Sequence, residues 1–429
     1  MKNSVSAGPR AAEAGVPLTT AVVATLTTLV TGAVQFVVMA VWGGRQGRTL
    51  HDVLMQWDAH WMTMISEHGY SGFVMSADQT DPVQWESVAF FPGYPVLVRV
   101  VAAPMAVLDV AEATFVAALT VSTVATVAMA WGVSMLAVEL WRRRGPAPCD
   151  RRTTAVLTAV VTVLAVGAPM GVVYWMPYSE SLFTAVAVWA LYFLLRRRFL
   201  LAGVLTMVAG ATRLTATALI LTLCAAVALE LWRWWRGTQQ ERGSSVPFPA
   251  CAVAAPLVGS VGLVAYLSWA DRQVAEIGGY FAAQERGWHS GVDMGAATLR
   301  WLAGNLPGEL TGYTVSSWSI VLVALLCAVS FGMLWTGRIP WQLWLPAIVL
   351  AGIVLGSDGI MHSRPRLLLV PVLLFTLPLV VELVRTWRTA TRPQTAVAVG
   401  AVLGAGAVLW CALGFWVSGV MLIDFEYAI

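Results

Sequence analysis

The stretch Leu18–Trp42, LTTAVVATLTTLVTGAVQFVVMAVW, runs for 25 residues without a charged side chain. As a helix it measures roughly 37 Å, which exceeds the hydrocarbon core of a bilayer at about 30 Å. Because lipid offers the backbone no hydrogen-bond partners, such a run folds as a membrane-spanning helix. It is too long for the apolar core of a signal peptide, so we expect it to be retained, with the N-terminus inside.

The rest of the chain has the same character. Of its 429 residues 58% are hydrophobic and 11% charged, and the mean hydropathy is +0.74. Ten more apolar runs follow: Ala113–Trp141, Thr154–Val173, Leu182–Leu195, Phe199–Thr212, Leu214–Trp232, Phe248–Trp269, Tyr313–Trp335, Trp341–Leu355, Leu367–Val384 and Thr395–Val420. The sequence predicts an all-α, polytopic transmembrane bundle of about eleven spans, forming one integral-membrane domain over residues 1–429. The net charge of +3 and the placement of arginines in short loops argue against nucleic-acid binding.

The segment Phe90–Leu108 is long enough to cross, but it contains three prolines and Arg99. A crossing here would place Arg142–Arg152 outside, against the positive-inside rule. We therefore interpret it as a re-entrant or surface-lying helix of the first outer loop. This topology puts 17 of the 26 basic residues inside and 17 of the 23 acidic residues outside.

Two predicted outer loops, residues 43–112 and 270–312, are longer than simple connections require. Long loops on a rigid bundle commonly carry function, so we expect the active site on this extracytoplasmic side. Lys2 is the chain's single lysine, and alanine and valine are abundant. That composition favours a bacterial protein, and thus a location in the bacterial plasma membrane.

Asp58 is the most unusual polar residue of the first outer loop. If Leu50–Glu67 is one helix, Asp58 shares a face with Leu54, Trp61 and Ile65, where a carboxylate interrupts an apolar stripe. One interpretation is a headgroup-level carboxylate paired with an arginine. The other is a half-desolvated acid of raised pKa that serves as a general base, and we predict this catalytic role for Asp58.

Two spans are too short for the bilayer. Phe199–Thr212 extends about 21 Å as a helix, and Trp341–Leu355 is similarly short, so both end in a recess. Four basic residues surround this recess and are predicted to bind a donor phosphate: Arg213, His362, Arg364 and Arg366. The alternative is internal ion pairing with Asp358 or Glu180.

Further polar and aromatic residues of the outer loops are predicted to line the substrate site: Glu86, Tyr178, Glu180, Gln284 and Trp288. Each has a structural alternative. Glu86 is equally suited to start a helix, Ser179 or Glu180 to cap the fourth span, and the segment around Gln284 to form an interfacial amphipathic helix. The sequence has no Cys/His spacing typical of a metal site, and we expect neither a metal nor another cofactor.

Several motifs together resemble one enzyme family. They are, in order, Trp57-Asp58-Ala59, Gly69-Tyr70, Ala89-Phe90-Phe91-Pro92 with Tyr94-Pro95 and Arg99, Pro177-Tyr178-Ser179-Glu180-Ser181, Ala211-Thr212-Arg213 and Pro365-Arg366. Over about Leu50 to Val384 the chain resembles the PIG-V-type mannosyltransferases of the GT-C superfamily. Two positions depart from the family pattern. Gly93 stands where members often have a bulkier residue, and Thr215-Ala216 follows Arg213 where many have Pro and Gly.

The resemblance implies an inverting transferase that uses polyprenyl- or dolichyl-phosphate-mannose on the extracytoplasmic side, with Asp58 as the base. The expected partners are the lipid-linked donor, membrane lipids and a glycolipid, lipoglycan or glycoprotein acceptor. The main rival is a transporter or lipid flippase in which Asp58, Arg213 and Arg366 bind the substrate. Such proteins often contain internal repeats, and no convincing repeat is present here.

Overall fold

The computed structural model describes residues 9–70, 85–145, 149–240 and 250–427, and these residues are predominantly helical. The helices are α1 Pro9–Arg45, α2 Leu50–Leu54, α3 Asp58–His68, α4 Gly93–Val107, α5 Ala113–Arg143, α6 Arg151–Val166, α7 Glu180–Leu195, α8 Phe199–Gly210, α9 Thr217–Gln240, α10 Ala250–Gln273, α11 Tyr280–Trp288, α12 Ala296–Asn305, α13 Gly312–Trp335, α14 Trp341–Leu355, α15 Arg364–Leu367, α16 Leu369–Thr389 and α17 Pro393–Gly419. Within the described ranges no β-strand forms, and the predicted all-α membrane fold is confirmed.

All eleven predicted apolar runs correspond to helices: α1, α5 to α10, α13, α14, α16 and α17. Seven stretches are long and apolar enough to cross a membrane, namely Val16–Arg45, Ala113–Arg143, Leu214–Arg236, Ala250–Gln273, Gly312–Trp335, Leu369–Thr389 and Pro393–Asp424. The other four helices, α6, α7, α8 and α14, have 16, 16, 12 and 15 residues. Of the eleven helices that match the predicted apolar runs, seven are thus full-length and four are short.

Contacts between distant helix ends show that the eleven helices alternate in direction. At one end, which we call the Asp58 end, the end of α1 contacts the end of α17 through Trp42 Nε1 and Asp424 Oδ1, 3.0 Å apart. The opposite end, which we call the arginine end, joins α5 to α16 through Arg144 and Glu382, 2.9 Å apart. The remaining connections follow this alternation, so the order of helix directions matches the predicted topology.

The α4 helix does not extend to the arginine end. Its first residue, Gly93, donates its backbone N–H to Ala211 O at 2.7 Å, just past the end of α8. Tyr94 donates its hydroxyl to Ala118 O in the second turn of α5, at 3.0 Å. Because α4 then leads directly into the start of α5, it begins and ends at the Asp58 end, as predicted.

The centre of the bundle is formed by α5. Its residues Met129, Val133 and Leu136 are fully buried in the main core cluster, which also holds side chains of α6 and α16. Since lipid is as apolar as these side chains, their burial gains little from the hydrophobic effect. Close packing between helices is what stabilises such an interface in a membrane.

Glycines bring α8 and α10 into direct backbone contact. A Cβ added at Gly262 would lie 2.1 Å from Met207 O and 3.0 Å from Ala211 N, and one at Gly210 would lie 2.8 Å from Leu263 N. Nothing larger than a hydrogen atom fits at these positions. The contact fixes the end of α8, and with it Arg213, relative to α10.

Gly262→Ala is therefore expected to destabilise the protein by about 1–3 kcal/mol, because α8 and α10 must separate to make room for the methyl group. Thermal unfolding in detergent measures the loss. Gly404→Ala is the matched control, since a Cβ at Gly404 meets no atom within 4 Å. Equal unfolding temperatures for the two variants would show that the close contact contributes nothing.

Candidate functional site

Four charged side chains from distant parts of the chain form one network at the Asp58 end. Arg366 Nη1 donates to Asp58 Oδ2, and Arg366 Nε lies 3.5 Å from Glu180 Oε1. Arg213 Nη1 lies 2.7 Å from the same Glu180 oxygen. Asp58 begins α3, Glu180 begins α7, and Arg213 and Arg366 follow the short helices α8 and α14. The short helices thus place Arg213 beside Glu180, and Arg366 beside both acids.

The network is almost buried and its formal charges cancel. The side chains of Glu180 and Arg366 are 8% and 9% exposed, and those of Asp58 and Arg213 are 18% and 20% exposed. An unpaired charge in such surroundings costs several kcal/mol, so each group depends on its partners. The ring of Tyr178 supports this arrangement from one side, because the Arg366 guanidinium lies 5.1 Å from its centroid.

The prediction of one continuous helix from Leu50 to Glu67 is wrong. The helix ends after Leu54 and restarts at Asp58, and Trp57 between them adopts φ 51° and ψ −112°. This left-handed region favours glycine, so a tryptophan there carries strain of roughly 1–3 kcal/mol. The break places Asp58 in the first turn of α3, where the helix dipole favours a negative charge.

Burial raises the pKa of the Asp58 carboxyl above its ordinary value, while the guanidinium of Arg366 opposes this effect. For Arg366, burial by itself lowers the pKa, but Asp58 and Glu180 together raise it above the usual arginine value. Arg366 is therefore a permanent cation, and Asp58 is a carboxylate with more affinity for a proton than a solvated aspartate.

A cavity of about 250 Å³ opens beside the network. Of the predicted site residues, six line it: Asp58, Arg213, Gln284, Trp288, Arg364 and Arg366. The walls also include five residues that were not predicted to line the site: Phe90, Phe91, Thr212, Ser290 and Asp358. The sequence around Asp358 and Ser290 has no pattern that would indicate a ligand site. For Phe90 and Phe91, the pair of aromatic residues before Pro92 was a pattern from which a lining role could have been predicted.

Arg364 differs from the other two arginines of the cavity. It is 1% exposed, and its Nη2 donates to the carbonyls of Ser357 at 2.6 Å and Asp358 at 2.8 Å. In contrast to Arg213 and Arg366, it forms no ion pair with any carboxylate in the described ranges. Burial lowers its pKa to about 10, so it still carries its charge at neutral pH. Arg364 thus lines the cavity without a direct ion pair, and the more distant carboxylates of Asp293 and Asp358 favour its charged form.

The second predicted outer loop closes one side of this cavity. Asp358 N donates to Gly291 O at 3.0 Å, Gly291 N donates to Asp358 Oδ1 at 2.5 Å, and Asp293 N donates to Gly356 O at 3.1 Å. Three hydrogen bonds therefore hold this loop against the segment that follows α14. The loop also contains α11, so the predicted helical alternative for the segment around Gln284 is what the structure shows.

Two buried donors of α11 have no hydrogen-bond partner within the described ranges: Gln284 Nε2 and Trp288 Nε1. Both residues line the cavity. The Trp288 ring packs edge-on against Phe90, with ring centroids 5.7 Å apart. Because buried donors are nearly always satisfied in folded proteins, these two N–H groups are suited to hydrogen-bond a polar ligand.

Glu86 and His362 are not among the described residues that line the cavity. Glu86 lies in the short 3₁₀ helix Trp85–Ala89, whose last residue lines the cavity in its place. His362 packs among aromatic rings, 6.2 Å from that of Tyr313 and 5.4 Å from that of Phe425. The tight turn Met361–Ser363 directs His362 and Arg364 to different sides, which separates two residues that the sequence grouped together.

Tyr178 and Glu180 also lie behind the cavity wall, where they contact its arginines. The predicted capping role of Ser179 or Glu180 is not observed, because Ser179 as N-cap makes no side-chain capping bond. Its hydroxyl accepts from Arg213 Nη1 at 3.2 Å instead. Arg213 therefore follows the ion-pairing alternative with Glu180 while still lining the cavity.

Gly93, one of the two departures from the family pattern, is required by the packing in this chain. A Cβ at Gly93 would lie 2.7 Å from Thr212 Cγ2 and 2.8 Å from Ala211 O. A bulkier residue would push α4 away from the segment that carries Arg213.

Among the described side chains, no group of three His, Cys, Asp or Glu residues is placed to bind a metal ion.

No known protein-family profile matches the sequence, and no curated protein does. Among solved structures, the chain is similar to the crystal structure of ArnT from Cupriavidus metallidurans bound to undecaprenyl phosphate. The two share 16% sequence identity, with a TM-score of 0.48, over 92% of this chain and 76% of that chain.

Proposed function

We propose that the protein is an inverting membrane glycosyltransferase that transfers mannose from a polyprenyl-phosphate-mannose donor, with Asp58 as general base. The acceptor is a glycolipid, lipoglycan or glycoprotein. The observation that carries this proposal is the ion pair between Asp58 and Arg366 in the wall of a cavity that also contains the unpaired Arg364. The motif resemblance to the PIG-V-type mannosyltransferases supports the choice of mannose and of the lipid-linked donor.

The reaction is a single displacement at the anomeric carbon. The acceptor hydroxyl gives its proton to the Asp58 carboxylate while its oxygen forms the new bond to the sugar. The bond between the anomeric carbon and the phosphate oxygen breaks, and the lipid phosphate leaves from the opposite face. Because one displacement occurs, the configuration at the anomeric carbon inverts.

The paired arrangement of Asp58 and Arg366 couples these two events through charge. When Asp58 takes up the proton it becomes neutral, and Arg366 loses part of its attraction to that side chain. At the same moment the departing phosphate gains a negative charge. Arg366 is then available to stabilise the phosphate, and Arg213 and Arg364 line the same cavity.

We further propose that the Asp58 end faces the extracytoplasmic side of a bacterial plasma membrane. The support is the concentration of basic residues at the arginine end, which the positive-inside rule assigns to the cytoplasm. This orientation gives the site access to a lipid-linked donor and denies it soluble nucleotide sugars, which are cytoplasmic.

Membranes that contain the protein, incubated with radiolabelled polyprenyl-phosphate-mannose, test the function. We expect label to appear in a lipid-linked or protein-linked glycan, with no transfer from a nucleotide sugar. Comparing glycolipids and glycoproteins of a deletion strain with those of its parent identifies the acceptor. Movement of the labelled lipid across vesicles without any transfer would favour the rival flippase function and contradict ours.

Arg364→Gln is expected to raise the KM for the donor by about 10- to 100-fold, because it removes an unpaired cation from the phosphate site. The change is expected mainly in KM, since Arg213 and Arg366 remain for the leaving group. Steady-state transfer at varied donor concentration measures it. Arg272→Gln, an exposed arginine at the end of α10, is the charge-matched control. An unchanged KM would remove Arg364 from the donor site.

A further inference from the structure

A second group of buried charges lies at the arginine end, far from the candidate active site. The Glu230 side chain is 10% exposed and pairs with Arg233 at 2.8 Å and with Arg197. The two arginines are 52% and 62% exposed. A single carboxylate therefore holds two guanidinium groups whose remaining N–H donors face outward.

The neighbouring Glu139 has the same arrangement. Its side chain is 11% exposed and lies 3.0 Å from Arg143 and 3.4 Å from Arg196. The two clusters together contain four arginines and two glutamates. Their formal charge of +2 is not balanced within the clusters, in contrast to the neutral network around Asp58.

A cavity of about 240 Å³ is lined by residues of both clusters. Its charged lining residues are three arginines, Arg143, Arg197 and Arg233, and one carboxylate, Glu230, and two aromatic residues, Phe199 and Trp341, complete its wall. Phe199 begins α8 and Trp341 begins α14, so both lie where apolar helices reach the membrane surface. Aromatic side chains favour this interfacial level, where lipid headgroups lie.

The backbone is strained at the residue that completes this site. Arg197, in the turn between α7 and α8, adopts φ 58°, a left-handed conformation that glycine adopts with less strain. The turn is closed by Arg197 N donating to Leu194 O at 2.9 Å. In this conformation the Arg197 side chain reaches Glu230 on α9 and lines the cavity.

We propose that this cavity binds the phosphate group of an anionic phospholipid from the leaflet at the arginine end. A phosphodiester is an anion with oxygen acceptors for the outward N–H groups of the three arginines, and its single negative charge offsets half of the excess of +2. The acyl chains extend along the apolar helices beside Phe199 and Trp341. The site is separate from the proposed transfer reaction and does not depend on it.

Thermal unfolding of the purified full-length protein in neutral detergent, with added lipid, tests the proposal. We expect phosphatidylglycerol to raise the unfolding temperature, and phosphatidylcholine and inorganic phosphate to have little effect. Arg197→Gln is expected to require about tenfold more phosphatidylglycerol for the same rise, since one charge-assisted contact is lost. Arg338→Gln, exposed at the same end, is the charge-matched control and is expected to respond as the unmodified protein does.

Three results would each overturn the proposal. They are a normal phosphatidylglycerol response in Arg197→Gln, an equal rise in unfolding temperature with phosphatidylcholine, and an equal rise with inorganic phosphate, which would identify a free anion as the ligand.

If Arg197→Gln does not fold, Leu229→Trp replaces it. Leu229 is a partly exposed residue of the cavity lining, so tryptophan there fills the cavity and leaves every ion pair intact. The same loss of response is expected, and a normal response would again refute the site.

Discussion

Asp58→Asn is expected to lower mannose transfer by about 10²- to 10⁴-fold, because an amide cannot accept the proton of the acceptor hydroxyl. The substitution keeps the size of the side chain, and Arg366 keeps its contact with Glu180 at 3.5 Å. The fold should therefore persist while the chemical step fails. Transfer from labelled polyprenyl-phosphate-mannose, at matched protein levels in membranes, measures the effect on kcat.

Asp109→Asn is the matched control for this change. Asp109 lies exposed in the same loop region with φ 51°, a conformation that asparagine also adopts readily. Arg142→Ala, at the arginine end, is likewise expected to leave transfer unchanged. Near-normal transfer by Asp58→Asn would exclude Asp58 as the base.

Because only the carboxylate form of Asp58 accepts a proton, the transfer rate should rise with pH through the pKa of Asp58, which burial raises.

Arg366→Gln is expected to produce the largest loss of stability, about 3–5 kcal/mol, because it removes the partner of a largely buried carboxylate. The Arg366 guanidinium contacts both Asp58 and Glu180, and its side chain is 9% exposed. Without it, Asp58 retains no ion pair with another residue in the described ranges. Transfer should also be lost, since the cation proposed to stabilise the leaving phosphate is absent.

A double variant separates the two effects of Arg366. In Arg366→Gln/Asp58→Asn both members of the pair are neutral, so thermal unfolding should recover much of the stability lost in the single variant while transfer stays absent. Arg300→Gln serves as the surface control, because its side chain is 74% exposed and a change there should alter stability by less than about 0.5 kcal/mol. Additive losses in the double variant would show that Asp58 and Arg366 are not coupled.

The positions of the long helices follow directly from the sequence, since each apolar run must satisfy its own backbone hydrogen bonds. The same reasoning failed between Leu50 and Glu67, where helical periodicity predicted one helix. Helical periodicity shows which face of a helix is apolar, but it does not show where the helix is interrupted. Here three residues interrupt the helix, while Trp61 and Ile65 remain buried on the expected face. Trp57 adopts a conformation that its residue type disfavours, so only its tertiary contacts maintain it.

Within the candidate site, the sequence indicated Arg213, Arg364 and Arg366 because two spans are too short for a bilayer. The sequence did not indicate which acid each arginine would pair with. Ion pairs depend on which helices are neighbours, and Arg366 meets Asp58 across 308 positions of the chain. His362 illustrates the limit, because a turn of three residues directs it toward Phe425 and away from the cavity.

The apolar runs and the spacing of charges were enough to predict the class of fold and the separation of charge between the two ends, and they singled out Asp58 and three arginines that line one cavity. These properties depend on composition and on spacing along the chain, which the bilayer constrains strongly. The tertiary structure alone decided that Arg366 is paired while Arg364 is not, and that a basic cavity lies at the opposite end. Both depend on the packing of helices that are distant in sequence, where burial makes each charge dependent on its neighbours.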